Sequence, residues 1–89
     1  MNNNVPLANF CANIRYLRKS RGLTQKQMAQ KLHVSIRCIR SIEGGHIPPR
    51  LGIGILYYLL KEFEISPEAI FSQSLDPGNA GGGVPYNIN

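Results

Sequence analysis

The chain has 89 residues, is 43% hydrophobic, and carries a net charge of +5, which suits one small globular domain and leaves no room for a second. The most apolar run, Leu51 to Leu60, is closed by Arg50 and Lys61 and is too short to cross a bilayer. The opening Met-Asn-Asn-Asn-Val-Pro has neither a charged start nor a long apolar stretch, so no signal peptide is expected.

The charge is unevenly spread. Residues 1–50 hold nine basic side chains against the single acid Glu43, whereas residues 51–89 hold Lys61 against four acids. A basic half joined to a mildly acidic half predicts a polyanion-binding face at one end and a different role at the other. A solvated basic surface would give the same totals, so the charge alone does not decide. Cys11 and Cys38 are far apart and fit no metal-ligand spacing, which predicts reduced, partly buried thiols in a cytoplasmic protein and no metal site.

In chain order, residues 1–8 are expected to be an N-terminal extension. A first helix follows, capped by Asn9 and running to about Ser20. Leu7, Phe10, Ile14 and Leu17 fall on one helical face, and Gly22 can end the helix in a left-handed conformation. Thr24-Gln25-Lys26-Gln27 has the form of a capping box, so a second helix should run to about Leu32 and bury Met28, Ala29 and Leu32. A break is expected at His33-Val34. Ser35 then caps a third helix that buries Ile39 and Ile42 and ends at Gly44-Gly45.

His46-Ile47-Pro48-Pro49 reads as a loop, because consecutive prolines cannot enter a helix interior. A fourth helix from about Gly52 to Phe63 is expected to bury the pairs Ile55/Leu56 and Leu59/Leu60 together with Phe63. Ser66-Pro67-Glu68 opens a short fifth helix to about Gln73, burying Ile70 and Phe71. The domain is therefore expected to span 9–73. Residues 74–89 form a tail rich in Gly, Pro and Asn, with four glycines, two prolines and three asparagines in the last fourteen positions, a composition that predicts flexibility. Nothing alternates as a strand would, so the fold class is all-α.

The segment from Gln25 to Glu43 carries the most information. Small Ala29 suits a close helix crossing, Val34 fills the turn, and Ile39 and Ile42 anchor the next helix. Two short helices are thus held at a steep angle with one face of the second turned outward. That face comprises Ser35, Ile36, Arg37, Arg40 and Ser41, with Cys38 at its margin and no acid. Arg37 can pair with the major-groove edge of guanine, Ser41 can donate or accept, and Ile36 can pack on a thymine methyl. Solvated residues on an amphipathic helix would satisfy the same pattern, though Ile36 sits less comfortably there.

The string Ile14-Arg-Tyr-Leu-Arg18, Gly22-Leu-Thr-Gln25, Met28-Ala29, Leu32, Val34-Ser35, Ile39, Ile42-Glu43 and Gly45 closely resembles the phage lambda repressor/Cro-like (xenobiotic-response-element type) helix-turn-helix family, over residues 9–71. The resemblance implies a five-helix fold with the helix-turn-helix at helices 2 and 3. It implies base contacts from Ser35, Ile36, Arg37 and Ser41 and a phosphate clamp at Gln25, with Thr24, Lys26 and Arg40 also on the DNA backbone. It further implies an ion pair of Arg18 with Glu43 and a bacterial or phage intracellular setting. Three positions depart from the family. His33 stands where glycine is favoured; a pH switch or metal ligand is the weaker reading of it, since no partner His or Cys is in register. The loop after Gly45 is proline-rich and long, so backbone contacts from His46 and Arg50 are not expected. The chain start lacks a basic arm, so no minor-groove reading is expected from residues 1–8.

The expected function is a sequence-specific double-stranded DNA-binding transcriptional regulator, a repressor, acting as a homodimer. Its dimer surface would come from helices 4 and 5: Ile53, Tyr57 or Tyr58, Ile70 and Phe71. Of the adjacent tyrosines, one should be core and the other exposed. The alternative is an antitoxin-like or other protein-interaction module on the same fold. Neither thiol has a positioned His, no carboxylates are paired, and no glycine-rich phosphate loop precedes a helix, so no enzyme, cofactor, small-molecule ligand or membrane role is expected.

Overall fold

The computed structural model describes residues 5–79, and the chain over them is all-helical. Five α-helices run in order: α1 Val5–Ser20, α2 Gln25–Leu32, α3 Ile36–Glu43, α4 Gly54–Phe63 and α5 Pro67–Ser72, followed by a 3₁₀ turn at Pro77–Asn79. The expected tail beyond residue 79 and the first four residues lie outside the described part.

Local chemistry sets most boundaries. The Thr24 hydroxyl accepts from the Gln27 backbone N–H at 3.0 Å while the Gln27 side-chain Oε1 accepts from the Thr24 N–H at 2.9 Å, a complete capping box. Ser35 and Ser66 cap α3 and α5 by accepting from the N–H groups of Cys38 and Ala69. Gly22 (φ 67°) turns the chain after α1 through the left-handed region. α4 closes on Glu64 at φ 59°, although no glycine stands there to mark the stop.

The core is one cluster to which every helix contributes: Phe10, Cys11, Ile14 and Leu17 from α1, Met28, Ala29 and Leu32 from α2, Ile39 and Ile42 from α3, Ile55, Leu59 and Phe63 from α4, and Ile70 from α5. Ala29 is buried in the cluster, and Val34 packs on it from the turn.

Several expectations change. α1 begins at Val5, so residues 5–8 belong to the helix and Asn9 is no cap. Its amide instead donates to the Phe71 carbonyl at 2.9 Å. Leu7 lies on the expected buried face but is 45% exposed, because the first turn of α1 projects past the core. In α4, Ile55 and Leu59 face inward whereas Leu56 is half-buried and Leu60 exposed; a helix packed on one side buries only one member of each adjacent pair. Phe71 is half-buried and stacks on Phe10 with centroids 5.2 Å apart. Tyr58 is the inner tyrosine, half-buried, and Tyr57 the exposed one.

The packed body also continues past residue 73. Asn13, 1% exposed, donates to the Ile70 and Gln73 carbonyls at 3.0 and 2.8 Å and accepts from the Leu75 N–H at 2.9 Å. One buried amide thus satisfies the open end of α5 and ties down the strand of chain after it, where Leu75 packs on the core.

Candidate nucleic-acid interface

α2 and α3 are short, and what holds them rigid is behind them. Ile39 and Ile42 are fully buried, fixing the inner side of α3. At its C-terminal end the Glu43 carboxylate receives Arg18 in a two-point pair, Nε to Oε2 at 2.7 Å and Nη2 to Oε1 at 3.0 Å. The side chains are 15% and 6% exposed, so the pair sits largely out of water. The remaining Arg18 Nη1 donates to the Leu23 carbonyl at 3.0 Å. α1, the α1–α2 loop and α3 therefore meet at one guanidinium, a planar fork suited to this job.

Gln25 joins the same network: its Nε2 donates to Glu43 Oε1 at 3.2 Å. An amide nitrogen carries two donor hydrogens, so one remains for another acceptor. This link between the start of α2 and the end of α3 has no counterpart in local sequence spacing.

The turn between the helices is left-handed at His33, φ 59° and ψ 42°. The ring of His33 lies on Tyr58 of α4, with centroids 3.8 Å apart and an interplanar angle of 17°. Backbone strain there is offset by stacking that a glycine could not provide.

On the outer side of α3, Ser35, Arg37 and Arg40 are exposed. Ser35 uses its oxygen as the helix cap. Ser41 is half-buried and donates its hydroxyl to the His46 carbonyl at 3.2 Å, which pins the following loop and leaves the oxygen free to accept. Ile36 differs from expectation: it is half-buried and packs against the core. It lies three residues before Ile39, and the helical repeat turns it partly toward the same side. Thr24 and Lys26 are exposed at the start of α2.

Ser35, Arg37, Cys38 and Ser41 form one wall of an open concavity of about 550 Å³ whose other wall is Pro48, Pro49 and Arg50. Arg50, from which no backbone contact is expected, stands in this second wall, where the two prolines stiffen the loop. Among the described residues, Lys26, Arg37, Arg40 and Arg50 make no ion pair, whereas Lys31 reaches Glu62 at 3.9 Å and Arg21 lies over the Phe63 ring. Burial pushes the Cys38 and Cys11 thiols above their ordinary value, so both are held as neutral thiols. No cluster of three His, Cys, Asp or Glu that could hold a metal occurs among the described residues, and no helix there is long and apolar enough to cross a membrane.

A family model described as a helix-turn-helix domain matches residues 12–74. No curated protein and no solved structure matches the chain.

Proposed function

The chain belongs to the helix-turn-helix domain family, and from that premise we propose that it is a sequence-specific double-stranded DNA-binding transcriptional regulator, a repressor working as a homodimer. One observation carries the reading. Arg37 and Arg40 are exposed and in no ion pair among the described residues, on a helix fixed from behind by Ile39, Ile42 and the Arg18–Glu43 pair. A helix so presented enters the major groove with its first turns against base edges.

In this reading Arg37 pairs with a guanine edge, and Ser35 and Ser41 offer acceptors to neighbouring bases. Ile36 contributes only its outer edge to a thymine methyl. Gln25, Lys26, Thr24 and Arg40 hold phosphates, with Gln25 aimed by its bond to Glu43. Two copies place recognition helices roughly 34–36 Å apart, one turn of the duplex. The protein does no chemistry on its ligand and needs no cofactor.

The test is selection of bound duplexes from a random pool, followed by gel shifts. Arg37→Ala should lose about 1–3 kcal/mol and relax the preference at one base position, whereas Lys26→Ala should weaken binding to all sequences alike. Unchanged affinity and selectivity in Arg37→Ala would remove the base-reading role. Binding should also weaken steeply with salt as counterions are released. Flat salt dependence together with a tight protein partner would favour the interaction-module reading.

A further inference from the structure

Two cations of the basic half lie outside the helix-turn-helix, on α1. Arg15 and Lys19 are exposed and in no ion pair among the described residues. Four positions apart on one helix, they share a face, with Cβ atoms about 5–6 Å apart. None of the contacts assigned above uses them.

Both line an open concavity of about 540 Å³ that also takes in Glu43, Gly44 and Gly45, the end of α3. The Gly44 N–H donates to the carbonyl of Arg40, one turn back on α3, so exposed Arg40 stands next to this rim. Gly44 and Gly45 are exposed and carry no side chain, and a Cβ added at Gly45 would meet nothing within 4 Å. The rim between Arg40 and the two α1 cations is therefore bare backbone, open to close approach. Two acids share the lining, Glu43 and Asp76. Glu43 is neutralised by its two-point pair with Arg18, and Asp76 accepts from the Gly78 N–H. With Arg18 included, three cations stand against two acids.

We propose that Arg15 and Lys19 neutralise two backbone phosphates of the bound duplex, carrying the contact from the helix-turn-helix onto α1. The continuity with Arg40 favours a duplex over an acidic protein segment. A phosphate strand that meets Arg40 beside the major groove runs on past the end of α3, and the glycine rim lets it pass close to α1. Long, mobile side chains suit this task, because phosphates are held by charge and carry no sequence. The inference rests on the DNA-binding reading above and adds to it a contact outside α2 and α3.

Salt titration of duplex binding by the full chain tests it, on a selected site and on a scrambled duplex. Loss of two phosphate contacts lowers the slope of log affinity against log salt by about 1.8. The double variant Arg15→Ala with Lys19→Ala should show that fall. Its affinity should be about 60-fold weaker in 0.1 M salt, with the gap closing toward 1 M. The loss should be equal on both duplexes. Exchanging the two cations, Arg15→Lys with Lys19→Arg, should keep the wild-type slope. Asp76→Asn keeps an acceptor for Gly78 while removing a charge that repels the strand, and should bind more tightly. Arg15 and Lys19 are exposed, so circular dichroism and melting of the alanine variant should match the wild type. A slope that falls by less than about 0.9, one contact's worth, overturns the α1 contact and leaves the DNA reading standing. A loss confined to the selected site also overturns it. A wild-type chain that binds no duplex at any salt sinks both.

Discussion

Replacing Glu43 by alanine strikes the point where α1, α2 and α3 meet. Three donors converge on this carboxylate: Arg18 Nε at 2.7 Å, Arg18 Nη2 at 3.0 Å and Gln25 Nε2 at 3.2 Å. Without it, the guanidinium keeps a single protein acceptor, the Leu23 carbonyl. An uncompensated buried charge costs about 3–5 kcal/mol. Because the Arg18 side chain is 15% exposed, water reaches part of it, which puts the expected loss at the lower end, about 3 kcal/mol. For a domain of this size that corresponds to a fall in Tm of about 12–24 °C. Urea unfolding followed by circular dichroism reads the change from the midpoint, provided the slope is unaltered. The double variant Arg18→Met with Glu43→Leu should return to within about 1 kcal/mol of the wild type, since neither charge then needs desolvating. The reasoning fails if Glu43→Ala loses less than about 1 kcal/mol, the range of an exposed pair. It also fails if the double variant equals the sum of the two single ones.

Three further outcomes are expected. Asn13→Ala strips partners from two carbonyls and one N–H and should destabilise by about 2–4 kcal/mol in the same assay; a loss below about 1 kcal/mol would mean water replaces the amide. His33→Ala keeps the left-handed strain but loses the stack on Tyr58, a loss of about 1 kcal/mol, whereas His33→Gly relieves the backbone and should stay close to the wild type; equal midpoints for the two would argue against strain at φ 59°. The thiols are raised by burial, so iodoacetamide should modify the folded chain more slowly than the urea-unfolded one at neutral pH, and half-buried Cys38 before buried Cys11. The associated stability is fully present below the ordinary thiol value and is lost as pH rises through the raised one, so equal alkylation rates in both states would contradict it.

What could be foreseen from the chain alone was what short stretches decide for themselves. The capping box at Thr24 and Gln27, the caps at Ser35 and Ser66, the turn at Gly22 and the inner faces of α2 and α3 need only neighbours within a few residues. The all-α class and the outward Arg37 and Arg40 follow from the same local periodicity. The resemblance to a family, not periodicity, named Arg18 and Glu43 as a pair, for they stand 25 positions apart.

The rest was decided by tertiary packing. Asn9 reads as a cap in sequence and Asn13 carries no signal there, yet both cap the end of α5 from positions about 60 residues away. Gln25, a phosphate clamp by resemblance, has no foreseeable partner within the chain until α3 brings Glu43 beside it. Periodicity gave α4 two usable apolar faces, and only the position of the other helices determined that Ile55 and Leu59 turn inward while Ile53, Tyr57 and Leu60 are left outside. A hydrogen bond or burial that depends on a partner far along the chain leaves no local trace, whereas a cap or a turn carries its partner with it.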